Sequence, residues 1–185
     1  AVVSAMTGRG GGVFYVPILV LVGFPMHEAA ATGQLLLAVA AGTASIVYIR
    51  GKRVRWPLVL GLAPVMNVAA LVGGYLAHFA EGVVLKYLFA ALLVTAALLM
   101  LRETKPLVAG ETRTPKKRLV ITVAIAGIVA FFASAVGFAG GSFLVPLLVL
   151  LCYVPMHEAV GTSAFVVALT ALMGFIGHTA GGDFR

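Results

Sequence analysis

The chain has 185 residues, of which 62% are hydrophobic and 10% charged, with a net charge of +7 and a mean hydropathy of +1.11. So little polar surface cannot cover a soluble core of this size, which excludes an ordinary water-soluble domain. No aromatic-interleaved basic patch accompanies the positive charge, which argues against nucleic-acid binding. The single cysteine, Cys152, excludes an intramolecular disulfide and a cysteine-based metal site, and its apolar run predicts a packing or lipid-facing role.

In chain order, the first element is a glycine cluster around Gly8, Gly10, Gly11 and Gly12, followed by a short apolar helix over Val13–Gly23. Pro25 then opens a long apolar helix that carries Ala29–Ile49 without a charged residue. A basic loop with Arg50, Lys52, Arg53 and Arg55 leads into Pro57–Phe79, again free of charge. After a tight turn at Ala80–Gly82 comes Val83–Leu101, whose one charge is Lys86. Residues 102–118 form a Pro- and Gly-punctuated linker with six basic residues. Leu119–Ala139 is the next apolar run, a second short helix follows over Ser142–Cys152, and Ala159–Gly177 is the last long run. Five of these runs reach the roughly 20 residues that cross a bilayer core.

Two stretches repeat. Residues 8–32 read GRGGGVFYVPILVLVGFPMHEAAAT, and residues 137–162 read GFAGGSFLVPLLVLLCYVPMHEAVGT. The glycine clusters and Pro17/Pro146 align at an offset of 129, and His27/His157 align at 130. The expected organisation is a first repeat over 1–101, the basic linker 102–118, and a second, incomplete repeat over 119–185. The start at Ala1, the lack of an upstream helix matching Leu119–Val136, and the stop at Arg185 lead to the expectation of a fragment of a longer protein. It would lack an upstream segment and about two C-terminal helices. The predicted fold class is all-α: a polytopic helical membrane protein with two similar halves and glycine-interrupted helices.

Ten of the 13 basic residues lie in loops 50–55 and 102–118. Two spans separate these loops, so both are expected on one face, and the positive-inside rule makes that face cytoplasmic in a cell membrane.

The pattern G-x-G-G-G-x-x-x-V-P-x-L, followed by P-x-x-x-A-x-x-T and present in both halves, resembles the TauE/SafE family of sulfite exporters. The matching residues are Gly8, Gly10, Gly11, Gly12, Pro17, Ala29 and Thr32, then Gly137, Gly140, Gly141, Pro146, Ala159, Thr162 and Ser163. The resemblance implies an integral membrane permease of two four-helix halves that moves sulfite, organosulfonates or other small sulfur-containing anions. Four spans per half would make the repeats parallel; the spacing of the runs leaves parallel and inverted arrangements both open. Gly33, Ala139, Ser142 and Arg9 depart from the family pattern.

Physical chemistry supplies candidate roles. Glycines at 10–12 and 140–141 let a helix stop inside the membrane, and freed backbone there must face protein or a wet cavity. The helix that restarts points N–H groups and partial positive charge back at the break, which suits an anion. The candidate substrate-binding residues are therefore Arg9, Gly10, Gly11, Gly12, Thr32, Gly140, Gly141, Ser142, Thr162 and Ser163, with Gln34 close by. The hydroxyls have a purely structural alternative, back-bonding to their own helix. Arg9 pairs with the anion or snorkels to an interface. His27-Glu28 and His157-Glu158 satisfy no metal signature. Each Glu is expected to face the positive end of a helix started by Pro25 or Pro155, with proton coupling as the alternative role. Gly73 and Gly74 are expected to serve packing, Asn67 an interhelical hydrogen bond, and His78 and His178 the membrane interface.

The sequence thus predicts a secondary permease for a small anion, working by alternating access around the two breaks, with no enzymatic role and no cofactor. Its partners would be the anion and the bilayer, and assembly into a homo-oligomer stays open. The alternatives are a non-transporting membrane scaffold packed through glycine, favoured by dry breaks, and an intramembrane metal-dependent enzyme, which requires the two His-Glu pairs to converge.

Overall fold

The computed structural model describes residues 12–101 and 116–182. Among them seven helices form: α1 Gly12–Leu21, α2 Met26–Arg50, α3 Trp56–Ala77, α4 Gly82–Leu101, α5 Lys116–Ala135, α6 Gly141–Cys152 and α7 Met156–Gly181. Pro25 and Pro155 cap α2 and α7 with extended ψ angles of 148° and 140°, and Glu28 and Glu158 fall in the first turns. Proline cannot carry a preceding helix through, and its fixed φ presets the next one.

Among the described residues four helices are long and apolar enough to cross a membrane: α2, α3, α5 over Arg118–Ala135, and α7. The fifth expected span forms α4, a helix of 20 residues over Gly82–Leu101. The run expected over Leu119–Ala139 stops at Ala135, because Gly137, Ala139 and Gly140 take φ values of +92°, +52° and +67°. No right-handed helix accommodates those angles. Leu21, Leu60, Val68, Tyr87 and Ile128 are among many large apolar side chains turned outward. Exposed apolar surface on this scale marks a face meant for lipid. The protein is a polytopic helical membrane protein.

Contacts fix the helix directions. Between α3 and α7 the paired positions rise together. The Arg55 N–H donates to Thr162 Oγ1 (3.0 Å), the Trp56 and Phe165 rings meet edge to face at 5.4 Å, and Asn67 Oδ1 lies 3.2 Å from the Thr170 hydroxyl. Higher up, a Cβ on Gly74 would meet the Gly174 carbonyl oxygen, and one on Gly181 would meet His78. These two helices are parallel. Loop 51–55 reverses the chain between α2 and α3, so α2 runs against α7, and Gln34 near the start of α2 lies beside Gly174 near the end of α7. α5 begins at the same end as α3, since Leu119 is the neighbour of Gly61.

α2 and α7 carry the aligned P-M-H-E-A sequences, yet they run in opposite directions. α1 and α6, which feed into them, do the same. The repeats are therefore inverted, which corrects the parallel arrangement that four spans per half would give. Each short helix runs back against the long helix that follows it, so corresponding elements lie five steps apart along the chain, and an odd number of reversals inverts direction.

α7 lies at the centre, packed mainly on α3 and α2, while α5 packs on the other side of α3. Glycines allow the close crossings: a Cβ on Gly73 would fall on the Phe131 carbonyl, and one on Gly177 on the Leu71 carbonyl. The packing role expected of Gly73 and Gly74 is the one they serve. Asn67 makes its interhelical contact, to Thr170.

Candidate functional site

The second break is built by backbone geometry. Gly137 approaches α2 so closely that a Cβ would lie 2.5 Å from the Ala30 Cα, and its φ of +92° suits glycine alone. Gly140 turns the chain into α6 with φ +67°. Ala139 stands where the family pattern has glycine and still holds a left-handed φ of +52°, a conformation that costs an L-residue about 1–2 kcal/mol. α6 has no acidic residue in its first turn. Its leading N–H groups, at Gly141 and Ser142, point back toward the buried break.

α1 and the second break meet at Gly33. A Cβ there would come within 2.7 Å of Val16 Cγ2 on α1 and 3.3 Å of the Gly137 carbonyl oxygen. Gly33 departs from the family pattern because α1 and the second break both occupy the space a side chain would need. Around it the second break is sealed. Residues 137–141 are buried, Phe138 packs on Phe89 and Phe143 with ring centres 6.1 and 5.9 Å apart, and the space beneath Gly140 admits no water molecule. A larger groove of about 350 Å³ lies between α3 and α5, but it is apolar, lined by residues such as Val65, Gly127 and Phe131.

Beside this junction lies a buried polar node. Gln34 and His178 have no exposed surface, and neither does Ser134. Gln34 Nε2 donates to the Ser134 carbonyl (2.8 Å) and to the Ser134 hydroxyl (2.9 Å). Ser134 Oγ donates in turn to the Ala70 carbonyl (2.8 Å). His178 Nε2 lies 3.0 Å from the Ser134 carbonyl. A carbonyl only accepts, so Nε2 carries the proton. His178 was expected at the interface; instead the α3–α7 crossing buries it, because Gly74 and Gly177 let the helices close around it. Ser134 carries no sequence signal beyond its place just before a glycine break. Gln34 is the weaker of the candidates that the sequence offers in the first turns of α2, beside Thr32.

The other end of the bundle uses the second repeat's residues differently. Thr162 Oγ1 accepts the Arg55 N–H, and the Arg55 guanidinium pairs with the Glu158 carboxylate. Both groups secure loop 51–55 on α7, so Thr162 has a structural partner and Glu158 an ionic one. Ser163 is fully buried, and its hydroxyl has no hydrogen-bond partner. Cys152 is a packing residue, its thiol 3.3 Å from the Thr122 hydroxyl.

Of the remaining predicted residues, Arg9, Gly10 and Gly11 lie outside the described residues, and Gly12 is the first residue of α1. Ser142 is the second residue of α6, and Thr32 is half-buried in the second turn of α2. Helix direction separates the His-Glu pairs: His27 and Glu28 begin α2, His157 and Glu158 begin α7, and these starts lie at opposite ends of the bundle. The metal-dependent alternative needs them together, and the fold keeps them apart. No group of three or more metal-ligating side chains occurs among the described residues.

A bundle of apolar helices with inverted repeats and a glycine-built break before α6 has the architecture of a helical membrane transporter. The whole chain, residues 1–185, matches the family described as "Sulfite exporter TauE/SafE", and the chain belongs to that family. Curated relatives agree. The "Probable membrane transporter protein YunE" of Bacillus subtilis is 25% identical, covering 97% of this chain and 74% of the relative. The "Probable membrane transporter protein MJ0441" of Methanocaldococcus jannaschii is 24% identical over 96% of this chain and 67% of its own. A "Probable membrane transporter protein" of Haemophilus influenzae is 27% identical over 97% and 69%. No solved structure matches the chain significantly. The protein is a multi-pass membrane transporter.

Proposed function

We propose that the chain forms the core of a secondary permease that moves a small anion, sulfite or an organosulfonate, across the cell membrane by alternating access. The observation that carries this reading is the junction at Gly33, where α1, α2 and the second break meet inside an inverted pair of repeats. Inverted repeats with broken helices suit alternating access, because exchanging the two half-conformations exposes one site to either side. The N-terminus of α6 adds partial positive charge at the junction, which favours an anion. The sealed second break then belongs to an occluded conformation. Loops 50–55 and 102–118 are assigned to the cytoplasm by their basic residues.

The test is sulfite uptake into proteoliposomes holding the full-length protein, with Ser163→Ala alongside. Ser163 is the better probe than Thr162, whose hydroxyl also holds Arg55. Saturable sulfite flux supports the permease, and its loss in a folded Ser163→Ala protein adds that residue to the anion path. The dry packing under Gly140 is what favours the scaffold reading; absence of flux for sulfite, sulfate and a sulfonate, under either pH gradient, decides for it.

A further inference from the structure

We propose that the donors converging on the Ser134 carbonyl are an oxyanion site, held in this conformation by the chain's own carbonyl oxygen. The inference rests on the permease reading and deepens it by naming the binding residues and the kind of anion.

Three N–H donors reach one oxygen: Gly137 N at 2.9 Å, Gln34 Nε2 at 2.8 Å and His178 Nε2 at 3.0 Å. A carbonyl offers two lone pairs, so the site holds more donors than a peptide oxygen needs. An oxyanion oxygen, with greater charge and more acceptor capacity, suits such a set better. The donors come from α2, α7 and the second break, so the acceptor is the point on which these moving parts agree. The charge balance fits. Of the described carboxylates, Glu28 lies nearly two turns nearer the α2 start, Glu81 is exposed in the α3–α4 turn, and Glu158 is paired with Arg55 at the far end. His27 shares the first turn of α2 with Glu28, and His78 lies at the outer end of α3. No carboxylate lies among the donors, and the negative charge at the node is the partial charge on the last carbonyls of α5.

A second observation narrows the ligand. Gln34 Oε1 is fully buried and has no hydrogen-bond partner, while its amide orientation is set by the Ser134 carbonyl, which accepts from Nε2. Within one node there are surplus donors and one unmet acceptor. A singly protonated oxyanion satisfies both: its charged oxygen takes the N–H donors, and its O–H donates to Gln34 Oε1. The node lies eight residues into α2, about 12 Å from that helix's start, and three residues from the end of α7, so the ligand would be held toward that end of the bundle. When such an anion takes the place of the Ser134 carbonyl, the last turn of α5 and the break lose their tie to α2 and α7. The ligand thereby binds two conformations differently, which is what coupling binding to movement requires.

The experiment is sulfite flux in proteoliposomes of the full-length protein, comparing wild type, Gln34→Met, His178→Leu and His178→Gln, with Thr43→Val on the outward face of α2 as the neutral control. Gln34→Met keeps shape and removes both amide atoms; His178→Gln restores an N–H near the Nε2 position. Losing a hydrogen bond to a charged ligand raises KM by about tenfold or more, so this is expected for Gln34→Met and His178→Leu, with His178→Gln within about threefold of wild type. Sulfate, which carries no proton, is expected to compete with sulfite at least about tenfold more weakly. A KM within about twofold of wild type in both folded donor-lacking variants overturns the site and leaves the permease standing. Sulfate competing as well as sulfite overturns the protonated class. No saturable flux in wild type overturns the permease itself. If Gln34→Met fails to fold, as a melt in detergent reports, the two His178 variants decide alone.

Discussion

α2 and α7 open with the same P-M-H-E-A segment and the same Ala and Thr, but their second turns meet different neighbours. At the start of α2, Gly33 gives way to α1 and the second break, and Gln34 reaches into the polar node. At the start of α7, Thr162 and Glu158 bind loop 51–55, and Ser163 occupies the place of Gly33 with an unpartnered hydroxyl. One end of the bundle is thus arranged around the junction of α1 with the second break, the other around an anchored basic loop. Sequence duplication has preserved how these helices start and has let their surroundings diverge.

The largest effect in breaking this contrast is expected from giving the α2 end the residue of the α7 end. Gly33→Ser places side-chain atoms against Val16 and the Gly137 carbonyl. Overpacking of this kind costs about 1–3 kcal/mol, and a lower melting temperature in detergent is the expected reading. The reverse comparison is Ser163→Ala, which removes an unpartnered buried hydroxyl and should leave the melt unchanged or raise it. A Gly33→Ser protein as stable as wild type would show that α1 and the break are not packed on α2 as described.

Next in size is Thr162→Val, which keeps the volume and strips the acceptor from the Arg55 N–H. It should cost about 1–2 kcal/mol and loosen loop 51–55, seen as faster protease cleavage there. Smallest is Glu158→Gln. The ion pair lies at the rim, its two side chains 24% and 31% exposed, and pairs in such places are worth about 1 kcal/mol or less. Because Glu158 is the charged partner, the effect should shrink further in high salt; an unchanged difference at high salt would count against a mainly ionic role.

Much of the fold was legible because its causes are local. Pro25 and Pro155 start helices by their own φ restriction, and the glycines around 137–140 stop one by taking positive φ. The sites were less legible. His178 looks like an interfacial residue by its place near a helix end, and only the close crossing of α3 and α7 buries it. Ser134 has no motif at all; its importance comes from three donors delivered by α2, α7 and the break. Thr162 and Ser163 read as equal candidates, and the neighbouring loop separates them by occupying one hydroxyl and leaving the other.

By itself, the sequence determined that this protein is a membrane-embedded helical bundle with two broken, repeated segments, because hydropathy and the backbone restrictions of glycine and proline act within a few residues. Only the tertiary structure decided that the repeats are inverted, that the His-Glu pairs stand at opposite ends, and that Gln34, Ser134 and His178 share one buried node. Those facts depend on the direction in which each helix is packed and on which surfaces meet, and a helix of uniform apolar character carries neither in its own sequence.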